Sequence, residues 1–501
     1  MALESTRYNT ARFGRFTILA SVLLICLSGT SQNLSTANGH SVDFLSGQSI
    51  HKDLDTLKKW IEEMHPSPFA RCTEQDWNDA YTAGNAMYNG GGTHLAAAQV
   101  FSRLTNVLKD SHTCVSLKSL SDSMREKHGV LPFEITTIQN RIYAADDGNG
   151  SIETGAEIIG INGQSARMVL GTALQLVPLE GEAPIARLRL AEKFWNDLAT
   201  MMIQSSPSDT LRVQLGGLTD EHIEHPVTIT RDHSSKQEPK RNKSIEWKFI
   251  DHEVACLTIS SFQPNRNRQF ERSLRQGFRT LKKRSRDELN SPISLLIDIR
   301  GNAGGNVALM ELLLPYLTSS PVYLPHAVSI RQSAFTKTLH RKNGFALPLR
   351  RDSKHLEMTR FSKAMRETPI GSTVEILFDI PSHPHKRLNY AGKTALLMDG
   401  LSASASVAFA SWFIQSGRGS TFGESPMGSA SGTFGNPVKR VLPHTGLTVN
   451  IATAQYFSSS SHAWDSKPIL PDFPISWSEL DLQKGDDPVL KAAYQWLRNT
   501  Q

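Results

Sequence analysis

The segment Gly400–Phe413, GLSASASVAFASWF, sets three serines in alternation with alanines just before an apolar, helix-like run. A serine hydroxyl is a poor nucleophile until a base takes its proton. It also needs donors aimed at the oxyanion that forms in the transition state. A strand-to-helix turn helps with both, because it exposes the hydroxyl and points the first amides of the helix at developing negative charge. Ser404, or its neighbours Ser402 and Ser406, meets this condition; the other reading is a small-residue turn that lets the helix pack closely. The loop GNAGGN at Gly301–Asn306 could add a second donor near Gly304 and Gly305, since glycine lets main chain approach a substrate. That loop has neither the Lys-Ser/Thr of a phosphate loop nor the dinucleotide spacing, which argues against a nucleotide cradle.

The base must come from elsewhere in the chain. His112, in KDSHT, lies at a helix-to-strand junction, and Asp465, in WDSKPILPD, is a carboxylate able to orient a histidine and stabilise its charged form. On local grounds alone both also read as structural: a junction histidine, and a turn carboxylate before Pro468.

The elements that must position these groups are legible. VACLTISSF and ISLLIDIR read as buried strands, and TALLMD as a third that runs straight into the serines. Continuous Val/Ile/Leu runs suit strands covered on both faces. Phe270, Leu274, Phe278 and Leu281 form a helical stripe between the first two. Strand, helix, strand, helix, strand, helix implies an α/β core with parallel pairs, whose ligand sites lie beyond the carboxyl ends of the strands. The glycine loop and the serines both fall there.

Upstream, Leu57, Trp60, Ile61 and Met64 follow helical spacing until HPSPF interrupts it. A second amphipathic helix carries Phe101, Leu104 and Leu108, and the alternation of Thr113, Val115 and Leu117 predicts a strand. Between about Gly129 and Asp232 the pattern turns β-rich, with GVLPFEITTI, RIYAAD, TLRVQL and HPVTIT as strands. GAEIIGINGQSA adds a strand, an Asn-Gly turn and a helix start. Residues 322–390 show little pattern.

The net charge of +6 over 501 residues is a mild excess and does not point to nucleic acid. The densest basic run, Lys236–Ser244, reads as a solvated linker. Arg7, Arg12 and Arg15 precede a short apolar run and small residues, the pattern of a cleaved export signal. No other segment could cross a membrane, so the mature chain is expected to be periplasmic, envelope-associated or secreted. Outside the leader, Cys72, Cys114 and Cys256 lack CxxC spacing, which argues against structural zinc and leaves one disulfide possible. The divisions are a leader at 1–33, a helical region at 34–118, a β-rich module at 119–235 and the α/β core at 236–501.

Together these motifs resemble a known family of serine peptidases: the C-terminal processing (tail-specific) proteases, the tricorn protease core and the retinoid-binding repeats of photoreceptor matrix. MHPSPF and LKDSHT resemble its N-terminal helical region, and GAEIIGINGQSA its PDZ-like segment. LLIDIRGNAGGN resembles its core strand and loop, DGLSASASVAFASWF with GRGSTFGES its nucleophile segment, and PILPDF with GDDPVLKAAYQWL its ending. The resemblance implies a crotonase-like α/β peptidase core with an inserted PDZ-like domain. It places the nucleophile at Ser404 and the oxyanion hole at the amides of Ala405 and of Gly304 or Gly305. Where the Ser/Lys branch has its lysine this chain has Ser429, and no lysine occurs between Lys393 and Lys439. Ser111-His112 instead matches the serine-histidine pair of the tricorn-like branch, with Asp465 at the place of that branch's glutamate and Glu424 as the competing carboxylate. Val407 replaces a glutamate common after the nucleophile. The family implies no metal or organic cofactor. It implies a peptide or unfolded-protein substrate, positioned by the PDZ-like module through strand addition, with Gly129–Phe133 the candidate contact.

Two rivals remain on the residues. A catalytically silent protein binding peptides or apolar ligands could use the same fold. An α/β-hydrolase esterase shares the nucleophile chemistry, but SASAS lacks the flanking glycines of Gly-x-Ser-x-Gly.

Overall fold

Ser46 starts the first helix, α1 (Gly47–Met64), by accepting a hydrogen bond from the Ser49 amide. Its buried stripe, Ile50, Leu54, Leu57 and Ile61, faces α2 (Glu74–Ala86) and α3 (His94–Val107). Thr73 and Asp76 close α2 with a reciprocal capping box. The computed structural model describes residues 44–147, 152–216, 223–230, 244–264, 267–289, 292–343, 354–378, 381–458 and 464–499. The expected leader at 1–33 and nearly all of the basic linker lie outside the described residues.

The strand expected around Thr113–Leu117 is shorter than the alternation implied. β1 is only Cys114–Val115, and Leu117 already belongs to α4 (Leu117–His128), where it is buried in the first turn. β2 (Phe133–Ile138) and β3 (Arg141–Asp147) form a hairpin whose turn residues Gln139 and Asn140 both have positive φ. β4 (Ile158–Ile161) returns through the expected Asn162-Gly163 turn to β5 (Gln164–Ser165). Then come α5 (Ala166–Leu176), α6 (Pro184–Met202), β6 (Thr210–Leu215) and β7 (Ile223–Thr228). The sheet order is β5-β4-β6-β7. This module shares one continuous apolar core with the N-terminal helices, in which Leu54 and Phe101 join Val169, Trp195 and Val213. Val130, inside the expected peptide contact, exchanges both main-chain hydrogen bonds with Thr230, so that edge is already paired.

The α/β core starts with β8 (Ile245–Phe249), β9 (Val254–Ile259), α7 (Asn267–Arg284) and β10 (Ser294–Asp298). The stretch with little pattern contains β11 (Ala327–Arg331), α8 (Ala334–Asn343), α9 (Lys354–Glu367) and β12 (Thr373–Leu377). β13 (Thr394–Met398), α10 (Ala405–Gln415) and β14 (Ser420–Gly423) follow. β15 (Gly432–Gly435), β16 (Val438–Val441), β17 (Thr448–Ile451), β18 (Ala454–Phe457) and β19 (Phe473–Pro474) complete the strands. The chain closes with α11 (Glu479–Lys484) and α12 (Pro488–Arg498).

The main sheet runs β19-β14-β13-β10-β9-β8, parallel except for the edge pair β8–β9. Its central strand β13 is buried throughout. Leu396 and Met398 face α7 and α10 through Phe278, Phe409 and Phe413, while Ala395 and Leu397 face Val489, Ala493 and Leu497 of α12. Strand side chains alternate between faces, so a run covered on both sides must be apolar at every position. Each such Leu or Phe contributes about 1.5–3 kcal/mol by burial. A smaller sheet, β1-β17-β16, joins the N-terminal region to the core.

Candidate active site

β13 delivers the chain to a turn in which Ser404 has φ 53° and ψ −118°, a backbone shape that favours glycine. Its neighbours have other duties. Ser402 Oγ lies 2.9 Å from the Ile299 carbonyl oxygen and 3.0 Å from Asp399 Oδ1, tying the turn to the end of β10. Ser406 is buried in α10. Ser404 takes the N-cap position of α10 without a side-chain capping bond, which leaves its hydroxyl for chemistry.

The glycine loop packs directly on this turn. A Cβ on Gly304 would lie 2.8 Å from Ser404 Cβ and 2.9 Å from the Ala405 nitrogen. The loop is held from behind: Asn302 Nδ2 donates to the Ile259 carbonyl, the Phe262 amide to the Gly304 carbonyl, and the Ala403 amide to the Asn302 carbonyl. The structure separates the two glycines. The Gly304 amide donates to Asn302 Oδ1 at 2.9 Å and is therefore engaged. The Gly305 and Ala405 amides have no intramolecular acceptor among the described residues. Of the expected oxyanion donors, Gly305 and Ala405 are available, and Gly304 keeps the space between them open.

His112 is 2% exposed and sits one residue before Thr113, whose hydroxyl accepts from the Ala452 amide next to β17. Its Nδ1 lies 3.4 Å from Ser111 Oγ, 3.4 Å from Asp110 Oδ1 and 3.9 Å from Glu180 Oε2. Asp110 also accepts the His112 amide at 2.8 Å, and its other oxygen accepts from His65 Nε2 at 3.1 Å. His65 Nδ1 accepts from the Ser67 amide, which fixes the proton on Nε2. Glu180 accepts the Ser111 amide at 2.9 Å, the Ser111 hydroxyl at 2.7 Å and Arg71 Nη1 at 2.5 Å. Burial alone would lower the His112 pKa, but Asp110 and then Glu180 outweigh it and raise it to about 9. Burial likewise opposes charge on Glu180, and Arg71 and His112 overcome it to hold the carboxyl below its usual range.

The carboxylates expected to orient His112 do not reach it. Asp465 is exposed; its amide donates to Ser431 Oγ and its Oδ1 accepts from the Lys467 amide, a local turn before Pro468. Glu424 pairs with Arg189 and accepts the Gly400 amide. Asp110 and Glu180 stand in their place. Asp110 was within reach of the sequence, two residues from His112 in KDSHT. Glu180 carries no local signal, since PLEGEAP reads as a solvated loop. Among the described residues His112 Nε2 has no hydrogen-bond partner, so it is not joined to the Ser404 hydroxyl. Unliganded sites are often this loose.

Asp110, His112 and Glu180 could in principle chelate a cation, their ligand atoms lying within 4.8 Å of one another. Their inward lone pairs, however, already accept from Arg71, Ser111, His65 and the His112 amide. Ser429, at the place of a Ser/Lys lysine, is buried with its hydroxyl 2.8 Å from Ser431 Oγ. No disulfide joins Cys72, Cys114 and Cys256, so the possible bridge is not formed. Among the described residues no helix is long and apolar enough to cross a membrane.

Residues 253–475 match Peptidase family S41. No curated protein sequence matches the chain. Among solved structures it is similar to mature CPAF, at 14% identity over 90% of this chain and 96% of that one, with a TM-score of 0.61. A point mutant of CPAF gives 14% identity over 91% and 98%, with a TM-score of 0.64. The photosystem II D1 C-terminal processing protease is more distant, at 13% identity over 85% and 93%, with a TM-score of 0.42. The matched residues span the main sheet from β9 onward, the glycine loop and the Ser404 turn, and they support a serine peptidase of family S41.

Proposed function

We propose that the chain is an exported peptidase that hydrolyses peptide bonds through an acyl-enzyme, with Ser404 as nucleophile and His112 as general base. Ser404 Oγ attacks the scissile carbonyl carbon as His112 Nε2 takes its proton. The oxyanion is met by the Gly305 and Ala405 amides. The tetrahedral intermediate collapses, the C–N bond breaks, and His112 returns the proton to the leaving amine. Water then attacks the ester with His112 again as base, releasing the acid and restoring Ser404. The β-rich module positions the peptide, and the apolar core it shares with the N-terminal helices holds it rigidly beside the site.

The observation that carries this reading is the strained Ser404 turn, with a Cβ-free loop packed on its hydroxyl-bearing carbon. A fluorophosphonate probe tests it. Labelling of the wild-type chain at residue 404, lost together with casein cleavage in Ser404→Ala, is the expected result. A chain that neither labels nor cleaves is instead a binding protein on this fold.

A further inference from the structure

We infer that Glu180, supplied by the inserted module, is the positioning residue that fixes the proton on His112 through the Ser111 hydroxyl. The inference rests on the proposed Ser404–His112 mechanism. Ser111 has one hydroxyl hydrogen and two neighbours for it: Glu180 Oε2 at 2.7 Å and His112 Nδ1 at 3.4 Å. A carboxylate can only accept, so the hydrogen goes to Glu180. The Ser111 oxygen then presents lone pairs to His112, and the neutral imidazole must carry its proton on Nδ1. Nε2 is left as a bare lone pair, the form that can accept from a serine, and it is the nitrogen with no partner.

Glu180 is built into this position. Arg71 holds its second oxygen at 2.5 Å, and the Arg71 guanidinium is itself held by the Lys109 carbonyl and lies over the Trp464 ring. Directly after Glu180, the Gly181 amide donates to the Lys109 carbonyl and the Glu182 amide to the Ser466 carbonyl. The segment between α5 and α6 is thereby stitched to the base and to the stretch beside Asp465. Asp110 Oδ1 lies equally close to His112 Nδ1, at 3.4 Å, and favours the same tautomer, while also accepting the His112 amide; its other oxygen accepts from His65. The charged groups around the imidazole are thus Asp110 and Glu180, backed by His65 and Arg71.

The test uses the full chain carrying Glu180→Gln, Ser111→Ala, both together, and Asp465→Asn. The Gln amide donates to Ser111, which turns the serine hydrogen toward His112 Nδ1 and selects the wrong tautomer. A loss in kcat on the order of 10³-fold is expected, with KM little changed and the acid limb of the pH profile moved down. Ser111→Ala breaks the relay while sparing the Glu180–Arg71 pair, so it reads the same effect should Glu180→Gln fail to fold. The double variant is expected to lose no more than either single one, and Asp465→Asn to keep wild-type turnover. Wild-type kcat and pH profile in Ser111→Ala or Glu180→Gln, or the large loss falling on Asp465→Asn, overturns the inference while labelling at residue 404 leaves the peptidase reading standing. A wild-type chain that never labels overturns both.

Discussion

The α-carbon of Gly304 is so close to Ser404 that no side chain fits between them: a Cβ there would meet Ser404 Cβ at 2.8 Å and the Ala405 nitrogen at 2.9 Å. In the proposed mechanism the substrate oxygen met by the Ala405 amide occupies that same space. Gly304→Ala is therefore expected to lower kcat by about 10²-fold, the range for a lost oxyanion donor. Its φ of 93° adds a stability loss of about 1 kcal/mol. Turnover under saturating peptide, together with urea unfolding, checks both; wild-type kcat would remove the loop from the oxyanion hole.

Strain at the nucleophile predicts a gain of stability on its removal. Ser404→Gly fits φ 53° and ψ −118° without a Cβ penalty and should be inactive yet more stable by about 1 kcal/mol. Equal or lower urea midpoints for the glycine variant would show that the turn stores nothing.

The carboxylate cage sets the pH response in two opposite directions. Only neutral His112 can accept a proton, and its pKa is raised to about 9, so kcat/KM should climb with pH through about 9. Stability behaves the other way. With the folded pKa above the unfolded value of about 6.5, the cage's contribution is fully present below pH 6.5 and is lost as pH rises through 9. The Tm of the wild-type chain should fall between pH 6.5 and 9.5 by more than that of His112→Ala; parallel curves would refute the cage.

A second tie between module and core lies away from the chemistry. Arg189 of α6 reaches Glu424 at the end of β14, with Nε 3.1 Å from each carboxylate oxygen, and reaches Glu192 with Nη1 at 2.7 Å. Glu424→Ala leaves the largely buried guanidinium with Glu192 as its remaining carboxylate and should cost about 1.5–3 kcal/mol of stability. Differential scanning calorimetry decides; an unshifted Tm would mean that solvent replaces the carboxylate.

The sequence exposed what local chemistry encodes. The largely apolar runs that became β10 and β13, the serine turn, the glycine loop and the Asn162-Gly163 turn carry their instructions within a few residues. The Thr113–Leu117 alternation misled because Ser116 opens a helix, a competition that periodicity over five residues cannot resolve. Residues 327–377 escaped because their strands pair at a distance, β11 with β12 and β18, and lie beside short helices without a strong stripe. Glu180 escaped for a deeper reason. Its burial depends on Arg71, 109 residues away, and a glutamate in a Gly/Pro loop looks solvated until that cation is placed. Asp465 stands where the resemblance places the tricorn-like branch's glutamate, and position along a chain does not fix where a carboxylate points.

Within its sheet, β1 pairs only with β17, and Cys114 meets Asn450 across 336 residues. The imidazole-bearing segment therefore leaves the ribosome long before its partner strand exists. A polypeptide lacking Thr448–Ile451 holds both side chains but lacks the strand with which the His112 segment pairs. The pairing that seats the His112 segment on the core can therefore form only after β17 has been translated.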